Sequence, residues 1–457
     1  MDQRITNPAT GETIRQIKYS TENEISSMIE KAKDAQNQWR NMGFKARQDI
    51  LRAFASSLEK NKDQIAHIQA EETGKPISQA EGEANACIPR INYLCEEAAT
   101  FYRDEFYSQK SDGASHDQFI TFESLGTILN ISAWNYPLFV SINVVVPALL
   151  TGNAVVFKPS EYAIGTGEKM VKLLWDSGVP KDILQLVIGA KQQGENLLKH
   201  DFDGVFFTGS YSTGKSILNS TKSRFTKVGL ELGGKDPAYV RSDADVKESA
   251  ISLCHGAFYN AGQSCCAVER IYVHSSIING FVDSFLEEAQ TLKIGSPLEK
   301  DTYFGPLTRG AQIQVLESQI EDALKKGASI RLGGKKSDFG AQYFEPTVLT
   351  DVSHDMDIMR EESFGPIIGI MAVDSDEEAL RLMQDTQYGL TSAVYTQDIE
   401  AGKSILREID SGTAYINCCD RVSPCLPWSG RRNSGLGSTL GKIGIQTFLQ
   451  PKSWHIA

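Results

Sequence analysis

Short apolar runs that alternate with helical segments are the feature of this sequence that most constrains its fold. Runs rich in β-branched and aromatic residues cover residues 127–131, 154–157, 184–188 and 205–208, with longer helical segments between them. Strands separated in this way form parallel sheets, because a parallel connection needs a long crossover. The pattern therefore predicts an α/β fold. Further strand candidates, at residues 237–240, 271–274 and 367–373, predict a second α/β domain.

The flanking regions have different patterns. Thr21 and Glu24 form a capping-box pattern before apolar residues at helical spacing, which predicts that the first hundred residues are mainly amphipathic helix. A polar stretch at residues 104–118 precedes a strand signal at residues 119–122, and we expect this segment to leave the main domain. The glycine-punctuated end of the chain, from Gly435 onward, is expected to pack on another part of the protein.

Length and charge exclude several classes of protein. A chain of 457 residues corresponds to two or three domains. The formal net charge of -12 repels phosphate-rich ligands, so we expect no nucleic-acid partner. The longest apolar stretch, residues 138–150, is too short to cross a bilayer, and no apolar signal region precedes residue 7. We therefore expect no membrane partner and a cytoplasmic location. Eight cysteines are too sparse for a disulfide framework, and their spacing suggests no metal site.

Two adjacent cysteines form the most informative local pattern. Cys265 and Cys266 follow Gly262-Gln263-Ser264, where glycine and exposed backbone N–H groups can lower the pKa of a thiol. A thiolate in this place is a candidate nucleophile. Two small buried cysteines after a helix explain the pattern equally well, since free cysteine is among the most buried residue types.

Three further patterns place polar groups near strand ends. Glu231 stands between two leucines, where apolar surroundings would raise its pKa toward that of a general base, although a salt-bridged structural glutamate is favoured. Asn135 can donate to a developing oxyanion, but an aromatic–proline turn explains it as well. Gly209 and Ser210 lie where a strand meets a helix N-terminus, a position that binds phosphate, and a tight turn is the simpler explanation.

The order of these patterns resembles the aldehyde dehydrogenase superfamily. Three more motifs continue the resemblance, namely Phe157-Lys158-Pro159-Ser160-Glu161, Glu361-Glu362-Ser363-Phe364-Gly365-Pro366 and Pro427-Trp428-Ser429-Gly430. The resemblance covers nearly the whole chain. It implies a Rossmann-like cofactor domain (residues 1–104 and 125–232), a catalytic α/β domain (residues 233–435) and a small β oligomerisation arm (residues 105–124 and 436–457). It also implies a homodimer or a homotetramer.

The resemblance implies a role for each motif. Cys265 would be the nucleophile, Glu231 the general base, and Asn135 would form an oxyanion hole with the backbone N–H of Cys265. Glu161 would hold the adenosine ribose and repel a 2′-phosphate, so we expect NAD rather than NADP as the cofactor. Because members that acylate CoA generally lack the glutamate, we expect water as the acyl acceptor. The other residues expected to bind the cofactor are Ile131, Trp134, Lys158, Gly189, Gly209, Ser210, Leu232, Glu362 and Phe364.

Three interpretations of the substrate pocket compete. Tyr136, Tyr259 and Trp428 match positions at which betaine- and amino-aldehyde dehydrogenases cage a cation, but the fourth position is Asn143. Arg421, beside Val422, could instead bind the carboxylate of succinic semialdehyde. An apolar funnel with Arg421 in solvent would accept neutral aldehydes. We expect a neutral aliphatic or aromatic aldehyde, with a charged aldehyde as the alternative and a catalytically silent structural or binding protein as the rival of another class.

Overall fold

The computed structural model describes residues 2–102 and 105–457. Its N-terminal part consists of a β-hairpin and three long helices, namely β1 (Asp2–Thr6), β2 (Thr13–Lys18), α1 (Glu22–Asn41), α2 (Phe44–Thr73) and α3 (Ile77–Glu97). The predicted capping box begins α1, because the Thr21 hydroxyl accepts the backbone N–H of Glu24 and the Glu24 carboxylate accepts that of Thr21. The prediction of helix in this region is confirmed, and the hairpin adds to it.

The middle of the chain builds a six-stranded sheet covered by helices. Two strands of a separate sheet come first, namely β3 (Glu105–Ser108) and β4 (Asp117–Ser124). The strands of the six-stranded sheet and their helices then follow in chain order and are β5 (Thr127–Ile131), α4 (Pro137–Leu150), β6 (Ala154–Lys158), α5 (Ile164–Asp176), β7 (Leu184–Leu186), α6 (Lys191–Leu197), β8 (Gly204–Thr208), α7 (Tyr211–Thr221) and β9 (Lys227–Glu231). Strands β9, β8, β5, β6 and β7 lie side by side in this order and are parallel. The four predicted strands are present, which confirms the α/β prediction here.

One of these strands is shorter than predicted. The prediction extends it to Ile188, whereas β7 ends at Leu186. Ile188 donates its backbone N–H to the Ser20 hydroxyl at 3.1 Å and its carbonyl accepts the N–H of Ser20. The chain thus leaves the sheet to bond with the segment before α1.

The second half of the chain builds a seven-stranded sheet. Its elements are β10 (Asp236–Val240), α8 (Val246–Phe258), β11 (Val268–His274), α9 (Ile278–Thr291), α10 (Gln312–Lys325), β12 (Ser329–Leu332), β13 (Thr347–Thr350), α11 (Asp357–Arg360), β14 (Ile367–Val373), α12 (Asp376–Gln384), β15 (Thr391–Tyr395), α13 (Ile399–Glu408) and β16 (Thr413–Ile416). The strand order is β12-β13-β14-β11-β10-β15-β16, and among the described strands of this sheet only the pair β12–β13 is antiparallel. The predicted second α/β unit is confirmed.

The end of the chain returns to the first half. It contains β17 (Gly435–Leu436), α14 (Gly441–Gln446) and β18 (Leu449–Ile456). Strand β17 joins the six-stranded sheet beside β9, and β18 pairs antiparallel with β4 along its whole length. With β3, these strands form a three-stranded sheet. The role of this sheet as an oligomerisation arm stays a prediction.

Residues 232–235 carry the chain from β9 of one sheet to β10 of the other. Each sheet has its own buried apolar cluster, so the two packing units are physically distinct. The domain limits stay a prediction, and residues 103 and 104, at one of them, lie outside the described residues. In the described part of the chain, no helix is both long and apolar enough to cross a membrane.

Candidate active site

A cavity of about 290 Å³ lies between helices α3 and α4 on one side and the segments 259–266 and 420–428 on the other. Cys265, Cys266 and Glu231 all line it, although Glu231 belongs to the six-stranded sheet and the two cysteines precede a strand of the other sheet. The structure therefore brings the candidate nucleophile and the candidate base, 34 residues apart in sequence, to one space. Loops at the ends of parallel strands commonly build such sites.

A sharp turn after α8 aims Cys265 at the cavity. The backbone is left-handed at Asn260 (φ 53°), Ala261 (φ 53°) and Gly262 (φ 69°). A Cβ atom at Gly262 would lie 2.3 Å from the carbonyl oxygen of Gly365, so only glycine fits there. This turn ends the helix and leaves Cys265 partly exposed.

The two cysteines have different surroundings. Cys266 is buried and donates its thiol hydrogen to Asp420 Oδ1 at 2.9 Å, and the Ser264 hydroxyl donates to the same oxygen at 3.2 Å. Its hydrogen bond with Cys265, together with burial and the Asp420 carboxylate, raises the pKa of the Cys266 thiol well above its ordinary value. A thiol that keeps its proton is a poor nucleophile, which leaves Cys265 as the candidate.

The amide of Asn135 is held beside the cysteine segment. Its Nδ2 donates to the backbone carbonyl of Gln263 at 3.1 Å, and the side chain of Asn260 donates to the backbone carbonyl of Asn135 at 3.2 Å. An amide nitrogen has two hydrogens, so the second remains for another acceptor. The geometry fits a donor to an oxyanion formed at Cys265.

Glu231 faces the cavity from the end of β9. Its carboxylate accepts hydrogen bonds from the hydroxyl of Thr439 and, at 3.2 Å, from that of Thr208. Burial raises the pKa of Glu231, while these two hydrogen bonds and the positive charge of Arg90 oppose the rise. The net shift is upward, which is the direction that strengthens a carboxylate as a general base.

A buried ion pair positions the start of α4. Lys75 Nζ lies 2.5 Å from Glu83 Oε2 and 3.9 Å from the ring centroid of Tyr136. The other oxygen of Glu83 accepts the backbone N–H groups of Leu138 at 2.9 Å and Phe139 at 3.0 Å. The carboxylate thereby caps the helix that follows Asn135. Sequence reasoning missed this pair.

The strand ends of the six-stranded sheet fit a dinucleotide. Lys158 is buried at the end of β6, and its Nζ donates to the Pro159 carbonyl at 3.2 Å, so hydrogens remain for a ligand. Burial lowers the pKa of Lys158, and nearby Glu161 opposes the fall. A Cβ atom at Gly209 would lie 2.5 Å from the Phe207 ring, and exposed Ser210 caps the N-terminus of α7. Helix N-termini of this kind accept phosphate.

A second loop lies where the two sheets meet. Glu362 accepts the backbone N–H of Gly234 at 3.1 Å, and burial, followed by the charge of Glu269, raises its pKa to about 8. Glu269 also accepts the backbone N–H groups of residues 363 and 364 and pairs with buried Lys235 at 2.7 Å. Phe364 is held with a left-handed backbone and meets Trp134 edge to face. The remaining predicted cofactor residues lie at or just after the ends of three strands and are Ile131, Gly189 and Leu232.

The structure divides the residues predicted for the substrate pocket. The cavity is lined by four of the predicted residues, namely Tyr136, Tyr259, Val422 and Trp428. Asn143 also lines it. Arg421 is exposed and is not among the lining residues. The cation that does line the cavity is Arg90 on α3, which sequence reasoning missed. Arg90 lies seven residues after Glu83, on the same buried face of α3, and this helical spacing is the sequence signal from which it could have been predicted.

Comparison with known proteins identifies the family. The model of the Aldehyde dehydrogenase family matches residues 2–454. The chain is 33% identical over 449 residues to the lactaldehyde dehydrogenase of Escherichia coli (strain K12), covering 98% of this chain and 93% of that protein. It is 32% identical over 455 residues to the peroxisomal aminoaldehyde dehydrogenase 1 of Pisum sativum, covering 98% and 90%. The crystal structure of an E. coli NADP dependent enzyme matches with a TM-score of 0.97 at 28% identity, covering 100% of this chain and 95% of that chain. The chain belongs to the aldehyde dehydrogenase family.

Proposed function

We propose that this aldehyde dehydrogenase converts an aldehyde to the carboxylic acid with NAD as the electron acceptor and water as the acyl acceptor. The single observation that carries the proposal is the shared cavity of Cys265 and Glu231, with the Asn135 amide beside the cysteine segment. A nucleophile and a base in one space, with an oxyanion donor next to the nucleophile segment, are the groups that acyl chemistry needs.

In the first step, the Cys265 thiolate attacks the carbonyl carbon of the aldehyde, and a C–S bond forms as the carbonyl π electrons move to oxygen. The Asn135 amide and the backbone N–H of Cys265 stabilise this oxyanion. One donor of this kind is typically worth about 2.7–4 kcal/mol in the transition state. When bound, a nicotinamide ring would supply the acceptor for the hydride of the former aldehyde carbon. Loss of that C–H bond, as the carbonyl forms again, would leave a thioester on Cys265.

In the second step, Glu231 removes a proton from water, and the hydroxide attacks the thioester carbon. The C–S bond breaks, the thiolate of Cys265 is regenerated and the acid leaves. Hydrogen bonds from Thr208 and Thr439 keep the Glu231 carboxylate oriented, and its raised pKa makes it a stronger base than an exposed glutamate.

Glu161 supports NAD over NADP. It lies three residues after buried Lys158, in the loop between β6 and α5. A carboxylate accepts a hydrogen bond from a ribose 2′-hydroxyl, whereas a 2′-phosphate would meet a like charge. Lys158, Glu161, Ser210, Glu362 and Phe364 are the residues that we propose to hold the cofactor.

Glu231 also supports hydrolysis over transfer to CoA, because water is a far weaker acid than a thiol and depends much more on a base to attack the thioester. A homodimeric or homotetrameric assembly and a cytoplasmic location stay predictions. Sedimentation of the purified protein measures its oligomeric state.

The proposal is tested by incubating the purified chain with NAD and several aldehydes, following absorbance of NADH and identifying the product by NMR, with and without CoA. We expect NADH and the free acid in equal amounts, and no acyl-CoA. Failure to form NADH with any aldehyde would support the catalytically silent alternative, and acyl-CoA as the main product would refute the hydrolytic step.

A further inference from the structure

Arg90 is a buried cation in the wall of the cavity. Its side chain projects from α3, and the residue is only 3% exposed. One terminal nitrogen donates to the Asn143 side-chain oxygen at 2.7 Å, and the other donates to the Val422 backbone carbonyl at 3.2 Å. The guanidinium lies over the Phe139 ring, 4.1 Å from its centroid. These neutral contacts fix its position, and the carboxylates of Glu231 and Glu83, whose charges act on it, form no direct ion pair with it.

Arg90 has donors to spare. A guanidinium has five N–H groups, and the contacts with Asn143 and Val422 use two of them. Its Nε is buried and has no hydrogen-bond partner. Within residues 2–102 and 105–457, no carboxylate oxygen lies within 4.0 Å of a guanidinium nitrogen of Arg90, the distance that defines an ion pair. Burying a charge without a partner is costly, so an arrangement of this kind indicates a missing anion.

The carboxylates that also line the cavity are engaged elsewhere. Glu83 pairs with Lys75 and caps α4. Glu231 accepts two hydroxyl groups, and Asp420 accepts the thiol of Cys266. Each of these acids has partners of its own. Arg90 is the basic residue among the described lining residues, and its hydrogen-bond partners are neutral.

The position of Arg90 sets the length of a ligand. Asn143, which it contacts, lies seven residues after Tyr136 on α4, or about 10 Å along a helix axis. Helical side chains lean toward the N-terminus, which shortens the gap to the Asn135 amide. Phe139 and Val140 line the intervening wall with apolar surface. A ligand that spans it has an aldehyde at one end, a few methylene groups and an anion at the other.

We propose that Arg90 binds the carboxylate of the substrate and that this chain selects short ω-oxo carboxylates, of about four to six carbons. The inference rests on the proposed function and names its substrate class. It differs from the expectation of a neutral aldehyde, which follows from an exposed Arg421 and takes no account of Arg90. It also differs from the cation cage, because a cationic aldehyde would meet the charge of Arg90.

The first test compares kcat/KM for succinic semialdehyde, its methyl ester, butanal and 4-aminobutanal. We expect the carboxylate to exceed the ester at least about a hundredfold, since the ester removes the charge and little else. Equal values for acid and ester, or a preference for the amine, would overturn the inference while NADH formation still supports the proposed function. No oxidation of any of the four would instead count against the function itself.

The second test uses Arg90→Gln, with Arg421→Gln as the matched control. The measured quantity is the ratio of kcat/KM for succinic semialdehyde to that for its methyl ester. We expect this ratio to fall at least about tenfold in R90Q and to persist in R421Q, because Arg421 lies outside the cavity. The opposite result would assign the anion to Arg421.

A third measurement needs no variant and therefore stands if R90Q does not fold. Succinate, but not succinamide, should inhibit butanal oxidation by the wild-type protein in competition with the aldehyde. Equal inhibition by both compounds would show that the cavity does not recognise the charge and would overturn the inference.

Discussion

Cys265 and Cys266 are adjacent in the chain but differ in their contacts. Cys266 donates its thiol hydrogen to the Asp420 carboxylate, and its pKa is raised. We predict that Cys265→Ala lowers aldehyde oxidation at least about a thousandfold while NAD binding persists, because the nucleophile alone is lost. Cys266→Ala should keep most of the activity. Steady-state NADH formation measures aldehyde oxidation, and quenching of protein fluorescence measures NAD binding. Equal loss of activity in both variants would refute the assignment.

Glu161 is the residue that we propose to discriminate between the cofactors. We predict that Glu161→Gln lowers the ratio of kcat/KM for NAD to that for NADP at least about tenfold, which corresponds to about 1.4 kcal/mol, because the repulsion of a 2′-phosphate is lost. Glu195→Gln, at an exposed position on α6, is the control and should leave the ratio unchanged. A wild-type preference for NADP would contradict the role of Glu161.

At the level of residues, the sequence motifs predicted a set of side chains that the fold does bring together, with Cys265, Glu231 and Tyr136 in one cavity. Arg421 was predicted for the pocket but is exposed. Arg90 could not be predicted from its neighbours in the chain, because its partners Asn143 and Val422 are 53 and 332 residues away. A side chain whose contacts are all long-range leaves only helical spacing as a local signal.

Among the elements, α4 depends on the Lys75–Glu83 pair, which is fully buried. We predict that Glu83→Gln lowers the free energy of unfolding by about 3–5 kcal/mol, because it leaves the Lys75 ammonium unpaired in an apolar place. It should also lower kcat, since the capped turn follows Asn135. Urea unfolding and NADH formation measure the two effects.

The control for this prediction is Glu81→Gln on the same helix. The side chain of Glu81 is 31% exposed and lies 3.7 Å from Lys300, so its loss should cost less than about 1 kcal/mol. If E81Q and E83Q were equally stable, the buried pair would have no special part in holding α4.

Helix α5 begins on a buried carboxylate. Glu72 accepts the backbone N–H groups of Gly165 at 2.7 Å and Thr166 at 3.2 Å, and burial raises its pKa to about 7. The folded protein therefore holds this proton more tightly than the unfolded chain does. It follows that stability falls as pH rises from about 4.5 to above 7, and that the penalty is complete above the folded pKa.

The variant Glu72→Gln cannot ionise and should escape this penalty. We compare the free energy of unfolding of E72Q with that of the wild type at each pH. We predict that this difference favours the variant more at pH 8.5 than at pH 5, by on the order of 3 kcal/mol. Chemical denaturation at both pH values gives the difference, with Glu71→Gln, whose side chain is 36% exposed, as the control. A difference that does not change with pH would contradict the raised pKa.

At the level of elements, each of the seven strand candidates identified from the apolar runs falls on a strand of one of the two sheets. Such runs can be recognised because buried parallel strands are continuous apolar segments. The end of β7 was misplaced, since the bond between Ile188 and Ser20 joins positions 168 residues apart. The hairpin of β1 and β2 was missed because its strands are short and their sequences lack a clear apolar alternation.

Across the whole molecule, the site exists only because two sheets meet. Glu231 ends a strand of the six-stranded sheet, Cys265 precedes β11 of the seven-stranded sheet, and residues 232–235 connect the two. Neither sheet alone holds both residues. In the mechanism that we propose, catalysis therefore depends on the packing of one unit against the other, because each of the two steps is assigned to a residue from a different unit.

The trapping of an acyl-enzyme tests this division of roles most directly. In Glu231→Gln, the Cys265 thiolate still forms the thioester but no carboxylate activates water, so NADH should appear in a burst of one equivalent and then stall. Rapid mixing with NAD and the fastest aldehyde of the panel, followed by mass analysis of the intact protein and its peptides, measures both events. The account predicts the burst and an acyl group on the peptide at Cys265. Steady turnover near that of the wild type, or an acyl group on Cys266, would contradict it.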